Sequence, residues 1–224
     1  MRYAWLLLAA CSLAPAFGAE PQRVYLVVER HQGSSWRVVN AATVFGQGDS
    51  LRFRMTANFP GYLYVMNHGS SGSYDLLFPR TETGMQNRIE ASKEYVVPAT
   101  AQGSFKITGP PGHDIIYWVI SPTDLAGQPQ AYQPLPPPPA KPDLPATFRP
   151  RCDDSIFKAR GDCIDTSAGV KPLSSGEKVP DNLTGVAKPT PRELIFIQQQ
   201  GGVMLSSPTP LPGPLVYELR LAHR

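Results

Sequence analysis

Residues 122–150 of this 224-residue chain include ten prolines, four of them in succession at Pro136 to Pro139. Proline offers no amide hydrogen to a sheet and clashes with the preceding turn of a helix, so neither element runs through this tract. It reads as a stiff polyproline II spacer. The apolar residues, 42% of the chain, must therefore meet from both sides of an interruption or form separate bodies. The length suffices for one domain or two small ones with a real core. With 19 Gly, the chain is far from collagen, and its apolar content excludes wholesale disorder. A net charge of +3, spread along the sequence, gives no basic groove, so no nucleic-acid partner is expected.

The N-terminus reads as a leader. Arg2 supplies the positive start, Trp5 to Ala10 the apolar run, and Ala16 and Gly18 the small residues before a cut that leaves 1–18 as signal peptide. That run is too short to span a bilayer, and no later segment reaches the roughly 20 residues required, so no transmembrane segment is expected. A rival reading rests on Leu8-Ala9-Ala10-Cys11, which is similar to the bacterial lipobox and would make Cys11 the lipidated first residue of an outer-membrane lipoprotein. Only ten residues precede Cys11, which leaves little room for charged and apolar regions together. The expected location is periplasmic or secreted, in a Gram-negative bacterium. With the leader removed, Cys152 and Cys163 remain, with ten residues between them, and in an oxidising compartment such a pair is expected to form a disulfide.

Residues 19–121 read as short strands separated by turns. Val24, Leu26 and Val28 share a face, Trp36, Val38 and Asn40 alternate with Arg37 and Val39, and Leu51, Phe53 and Met55 alternate with Arg52, Arg54 and Thr56. The last of these predicts a half-buried strand with a solvated outer face. Tyr62 to Met66 and Ile115 to Ile120 are apolar on both faces and are expected as central strands. Turn sequences at Asn58-Phe59-Pro60-Gly61, Gly69-Ser70-Ser71-Gly72 and Gly109-Pro110-Pro111-Gly112 fit this layout. The cadence predicts an all-β, immunoglobulin-like antiparallel β-sandwich.

Beyond the linker at 122–150, residues 151–190 read as a loop-rich region around the disulfide, and 191–224 as strands that return to the sandwich. Leu215, Tyr217, Leu219 and Leu221 alternate with Val216, Glu218 and Arg220, a clear strand. Leu194 to Ile197 admits two readings. Thr190-Pro191-Arg192-Glu193 fits a capping box opening a helix that Gly201 would end, whereas Ile195, Phe196 and Ile197 prefer a strand. The strand reading is favoured, because seven residues make a marginal helix. Isolated strands do not persist in water, so these are expected to join the first sheet.

Several pieces occur in a fixed order: Gly48-Asp49-Ser50-Leu51-Arg52-Phe53, Gly61-Tyr62-Leu63-Tyr64-Val65, Asn67 with Gly69-Ser70-Ser71-Gly72, and Leu76-Leu77-Phe78-Pro79. Asn87, Tyr95-Val96-Val97-Pro98, Phe105 and Gly109-Pro110-Pro111-Gly112 continue the series to Ser121. Over roughly residues 40–122 this series resembles the bacterial domain of unknown function 4384 family. The resemblance implies a β-sandwich module, often appended to signalling, protease-like or envelope proteins, with no established catalytic residues to carry over. This sequence shows no kinase or peptidase segment of the kind attached in multidomain members.

No catalytic, cofactor or metal residues are expected. Gly69-Ser70-Ser71-Gly72 lacks the spacing of a nucleophile elbow and reads as a flexible hairpin tip. Asp49 and Asn67 sit at a strand start and a strand end, where an Asp that bonds nearby backbone amides serves structure, a reading that outweighs calcium ligation because no twelve-residue loop of regularly spaced acids is present. Tyr62, Tyr64, Tyr117 and Trp118 are expected in the core, with Tyr74 exposed at a turn. Asn67, His68, Tyr74, Asp75 and His113 are the candidate loop contacts, all near one end of the sandwich. The expected function is that of an exported, non-catalytic envelope module that binds or scaffolds an envelope protein or glycan. The alternative is a periplasmic enzyme or metal-binding protein in which His68, Asp75 and His113, with Asp114 beside them, converge at that end.

Overall fold

The computed structural model describes residues 20–101, 103–125, 149–173, 179, 183, 194–199, 201–208, 210 and 213–224. The expected leader, Cys11, most of the Pro-rich tract and the Thr190 to Glu193 capping sequence lie outside these residues.

Strands dominate the described residues. In chain order the first half holds β1 (Gln22–Gln32), β2 (Ser35–Val39), β3 (Val44–Phe45), β4 (Ser50–Ala57), β5 (Gly61–His68), β6 (Tyr74–Phe78) and β7 (Arg88–Ile89). There follow β8 (Glu94–Val97), β9 (Phe105–Lys106), β10 (Gly112–Ser121), the one-turn helix α1 (Ser155–Ala159), β11 (Gly169–Pro172), β12 (Ile195–Gln199), β13 (Gly202–Ser207) and β14 (Leu215–His223). They form two facing sheets. One runs β12-β13-β1-β4-β8, with β2 on β1 and β9 on β4, and the other runs β11-β14-β10-β5-β6, with β3 on β14 and β7 on β5. The expected β-sandwich is therefore the observed architecture, with one departure from antiparallel pairing among the described residues: β3 runs parallel to β14.

The alternation read in β4 is realised. Leu51, Phe53, Met55 and Ala57 are buried while Ser50, Arg52, Arg54 and Thr56 are only half-buried. The inward side chains meet Trp118 of β10, whose ring takes Phe53 edge-on at 5.5 Å and stacks on Tyr217 of β14 at 6.2 Å between centroids. On the outer face of β4, Arg52 and Arg54 flank the buried Glu29, and the Arg52 guanidinium lies 4.4 Å from the centre of the Trp36 ring.

Strand β10 is apolar on both faces for the expected reason. Ile116, Trp118 and Ile120 enter the core between the sheets, whereas Tyr117 and Val119 join an outer cluster with Tyr64, Met66, Val216, Leu125, Leu173 and Leu183. The first residues after β10 help to cover this face: the Tyr64 hydroxyl donates to the Asp124 carboxylate and accepts the Leu125 amide at 2.7 Å.

The C-terminal strands return to the sandwich on both sheets rather than one. The hairpin β12–β13 extends the first sheet, so the strand reading of Leu194 to Ile197 holds, and Gly201 makes the reversal instead of ending a helix, at a φ of 79°. Strand β14 lies between β10 and β11 in the second sheet. The region read as loops contains α1, capped by the Asp154 carboxylate on the amides of Ile156 and Phe157, and strand β11. Strand β2 stops at Val39; Asn40 instead turns the chain, its side chain accepting the Ala42 amide at 2.9 Å. Cys152 and Cys163 are disulfide-bonded.

Candidate functional site

The turn joining β5 to β6 closes through the Gly69 amide on the Ser73 carbonyl and the Gly72 amide on the Gly69 carbonyl, with Gly72 at a φ of 86°. This tip is not the loose hairpin expected. Ser70 is buried, its amide donating to Asp114 Oδ1 at 2.6 Å and its hydroxyl to the Pro110 carbonyl at 3.0 Å. A Cβ on Gly112 would sit 3.0 Å from Ser70 Cβ, so the absence of a side chain there permits the turn to seat against β10.

Asp114 is the hinge of this arrangement. Burial raises the energy of its charged form, but His223 Nε2 at 3.3 Å and the Ser70 amide outweigh that and hold the carboxyl below its ordinary range. His223 is fully buried at the end of β14, so one carboxylate of β10 ties the β5–β6 turn to the C-terminal strand in addition to the β10–β14 ladder.

Beside Asp114 the sheets part to leave a cleft of about 250 Å³. Its floor holds the buried Phe53 and Ile116, Leu77 and Phe105 with the polar Asn67, Ser73 and Asp114 complete its walls, and the exposed Ser71, Asp75 and Lys106 form a polar rim. Asn67 Oδ1 is buried with no hydrogen-bond partner among the described residues. Asp49 stands apart as a structural group, accepting the Gly46 amide at 2.9 Å and approaching Arg30 at 3.6 Å.

The five residues expected at this end fall into two groups. In β5 and β6, Asn67 pairs with Asp75 and His68 with Tyr74, so period-two alternation sends the first pair to the cleft and the second to the outer face. His68 and Tyr74 stack there with centroids 4.0 Å apart, which leaves Tyr74 half-buried rather than exposed. His113 lies on the outer face too, one residue before Asp114. The grouping of His68, Asp75 and His113 as one catalytic or metal-binding set is thus not assembled: the sheet stands between Asp75 and the two imidazoles. Among the described residues no group of three or more His, Cys, Asp or Glu is placed to hold a metal ion.

His113 has partners that the sequence did not point to. Its Nε2 lies 3.2 Å from both Asp165 Oδ2 and Ser167 Oγ, and Ser167 Oγ donates to Asp165 Oδ1 at 2.6 Å. A nucleophilic triad needs the acid on one ring nitrogen and the hydroxyl on the other. Here both meet the same nitrogen and each other, so the hydroxyl is bound to the acid instead of being activated by the base. Asp165 also accepts the amides of Arg151 and Ser167, and burial is again outweighed, so its carboxyl stays below its ordinary range. The cluster clasps the disulfide-bonded segment to β10.

The order of strands and turns from β3 to β10 now has a counterpart. Residues 44–124 match the family described as Domain of unknown function (DUF4384). The DUF4384 segment supplies every residue lining the cleft except Leu221 of β14. No curated protein and no solved structure matches the chain. No helix among the described residues is long and apolar enough to cross a membrane.

Proposed function

We propose that this protein is an exported, non-catalytic binding module of a Gram-negative cell envelope, and that it holds a side chain of an envelope protein in the cleft of its DUF4384 segment. The observation that carries this reading is the cleft itself, an apolar floor under a polar rim, with room on the scale of one large side chain and smaller than common small-molecule pockets. Its most buried acid, Asp114, is already committed to Ser70 and His223, and the Ser, His and Asp at the neighbouring face are locked onto one another. Such groups hold a surface in place. The leader-like N-terminus and the Cys152–Cys163 disulfide support an oxidising compartment outside the cytoplasm. A glycan is less well served, because sugars dock on exposed aromatic rings and Tyr74 is stacked on His68 away from the cleft.

The test is photocrosslinking in intact cells of the source bacterium. A photoreactive amino acid replacing Asp75 at the rim is expected to give a discrete adduct with one envelope protein, and the same group replacing Ile156, exposed on α1, is expected to give none. Equal labelling from both positions, no adduct from position 75, or adducts with glycan alone would overturn the reading.

A further inference from the structure

We infer that β12 is a seam between two copies of this chain, pairing edge to edge with β12 of a second molecule. The inference is independent of the cleft and rests on how the free edges of the two sheets are guarded. A strand with an unpaired edge invites another strand, and proteins that avoid this place a charge or a proline there. The edge strands here do so with Arg37 in β2, Asp75 in β6, Arg88 in β7, Glu94 in β8, Lys106 in β9, and Lys171 with Pro172 in β11. The two-residue β3 is buried. Of the exposed edge strands among the described residues, β12, Ile-Phe-Ile-Gln-Gln, alone carries neither charge nor proline, and among those residues only β13 pairs with it.

The side chains make the same point as the backbone. Five large apolar side chains are well exposed among the described residues, and Ile195 at 55%, Ile197 at 41% and Val38 at 42% belong to this one corner. Ile197 lies in register with Met204, and Met204 with Tyr25, so an apolar row runs inward from the edge on the outer face of the sheet. Val38 abuts the hairpin tip: its Cγ1 lies 2.6 Å from where a Cβ on Gly201 would stand.

A second copy is the occupant that the composition favours. Antiparallel pairing of a strand with itself sets each residue against its own mirror position, and any charge near the centre would face its like. With Ile197 on the two-fold axis, Ile197 faces Ile197 of the other copy, Phe196 faces Gln198 and Ile195 faces Gln199, so all of β12 pairs and no charge is opposed. The two exposed isoleucines of each copy then shield one another across the seam. A seam this short belongs among small, reversible interfaces, so the dimer forms with concentration.

Sedimentation velocity on the mature, disulfide-bonded protein, from low micromolar to several hundred micromolar, is expected to move from the mass of one chain to that of two. Ile197→Lys is expected to remain a monomer over the same range with an unchanged unfolding midpoint, since the position is exposed, while Ile156→Lys is expected to dimerise like the parent. Ile197→Cys is expected to yield an oxidised dimer far faster than Ile156→Cys, because only residue 197 meets its own copy. A parent protein that stays monomeric throughout, a dimer that survives Ile197→Lys, or equal oxidation at 197 and 156 would overturn the inference.

Discussion

Replacing Tyr217 with Phe is expected to stabilise the protein although it removes a hydroxyl from the centre of the core. Tyr217 is 0% exposed, its ring is stacked on Trp118, and its hydroxyl has no hydrogen-bond partner among the described residues. Burial pushes the phenol far above its ordinary pKa, as expected of a group that has left water without compensation. An unsatisfied buried hydroxyl costs about 1–3 kcal/mol. The void left by one oxygen, on the order of 10 Å³, subtracts only about 0.2 kcal/mol at about 24 cal/mol per Å³. The net expectation is a gain of about 1–3 kcal/mol, which for a chain of this size raises the unfolding midpoint by about 2–12 °C. Thermal and urea unfolding of both proteins, followed by far-ultraviolet circular dichroism with the disulfide intact, measures it. A midpoint that is unchanged or lower in Tyr217→Phe would mean that the hydroxyl is satisfied, and the argument from its isolation would fail.

Other perturbations probe the charged and covalent ties. Glu29→Gln removes the carboxylate that Arg52 and Arg54 share at 2.6 and 3.0 Å; both guanidinium side chains are about a quarter to a third exposed, so the expected loss is about 1–2 kcal/mol rather than that of a fully buried pair. Urea midpoints at low and high salt should show that loss shrinking as salt rises. Asp114 is a carboxyl held below its ordinary value, so its contribution is fully present above the unfolded value near pH ~4 and is lost as pH falls through the lower folded value. Asp114→Asn is therefore expected to be less stable at neutral pH and to show a flatter decline of stability below about pH 4, read from urea midpoints across the acid range. Replacing Cys152 and Cys163 together with Ser removes about 3 kcal/mol of loop-closure entropy by the chain model, and limited trypsin digestion should cut faster after Lys158 and Arg160.

The sequence is most legible where a strand has one wet face and one dry face. Leu51, Phe53 and Met55 against Arg52 and Arg54 specify both the element and its orientation, because a slip of one residue would exchange the faces. The two-sided Ile115 to Ile120 is legible as central for the complementary reason. Strand β13 is not, since Val203, Met204 and Leu205 are too few to declare a period and owe their burial to β1 and β12 on either side. The candidate site was half visible. Nearness to turns gathered Asn67, His68, Tyr74, Asp75 and His113, but the pairing register decides which of them share a face, and it divides them. Asp165, the partner of His113, stands 52 residues away across the proline tract, and only the folded chain relates the two.

The boundaries of the DUF4384 match, 44–124, do not coincide with those of a body able to stand alone. They omit β1, which lies beside β4 from Val24 with Ala57 to Arg30 with Leu51, and β14, which lies beside β10 from Gly112 with His223 to Ile120 with Leu215. Without them β4 and β10 present bare backbone edges, Trp118 loses Tyr217, and Asp114 loses His223. Residues 44–124 expressed alone are therefore expected to show no cooperative unfolding transition. Fragments 20–125 and 149–224, made separately and mixed, are expected to recover one, because the register of β14 on β10 is set by residues that the two fragments retain between them. Circular dichroism melts of each piece and of the mixture decide this. A 44–124 fragment that melts cooperatively on its own would show that β1 and β14 decorate a finished sandwich, and the role given to Asp114 as the join between segment and C-terminus would fall with it.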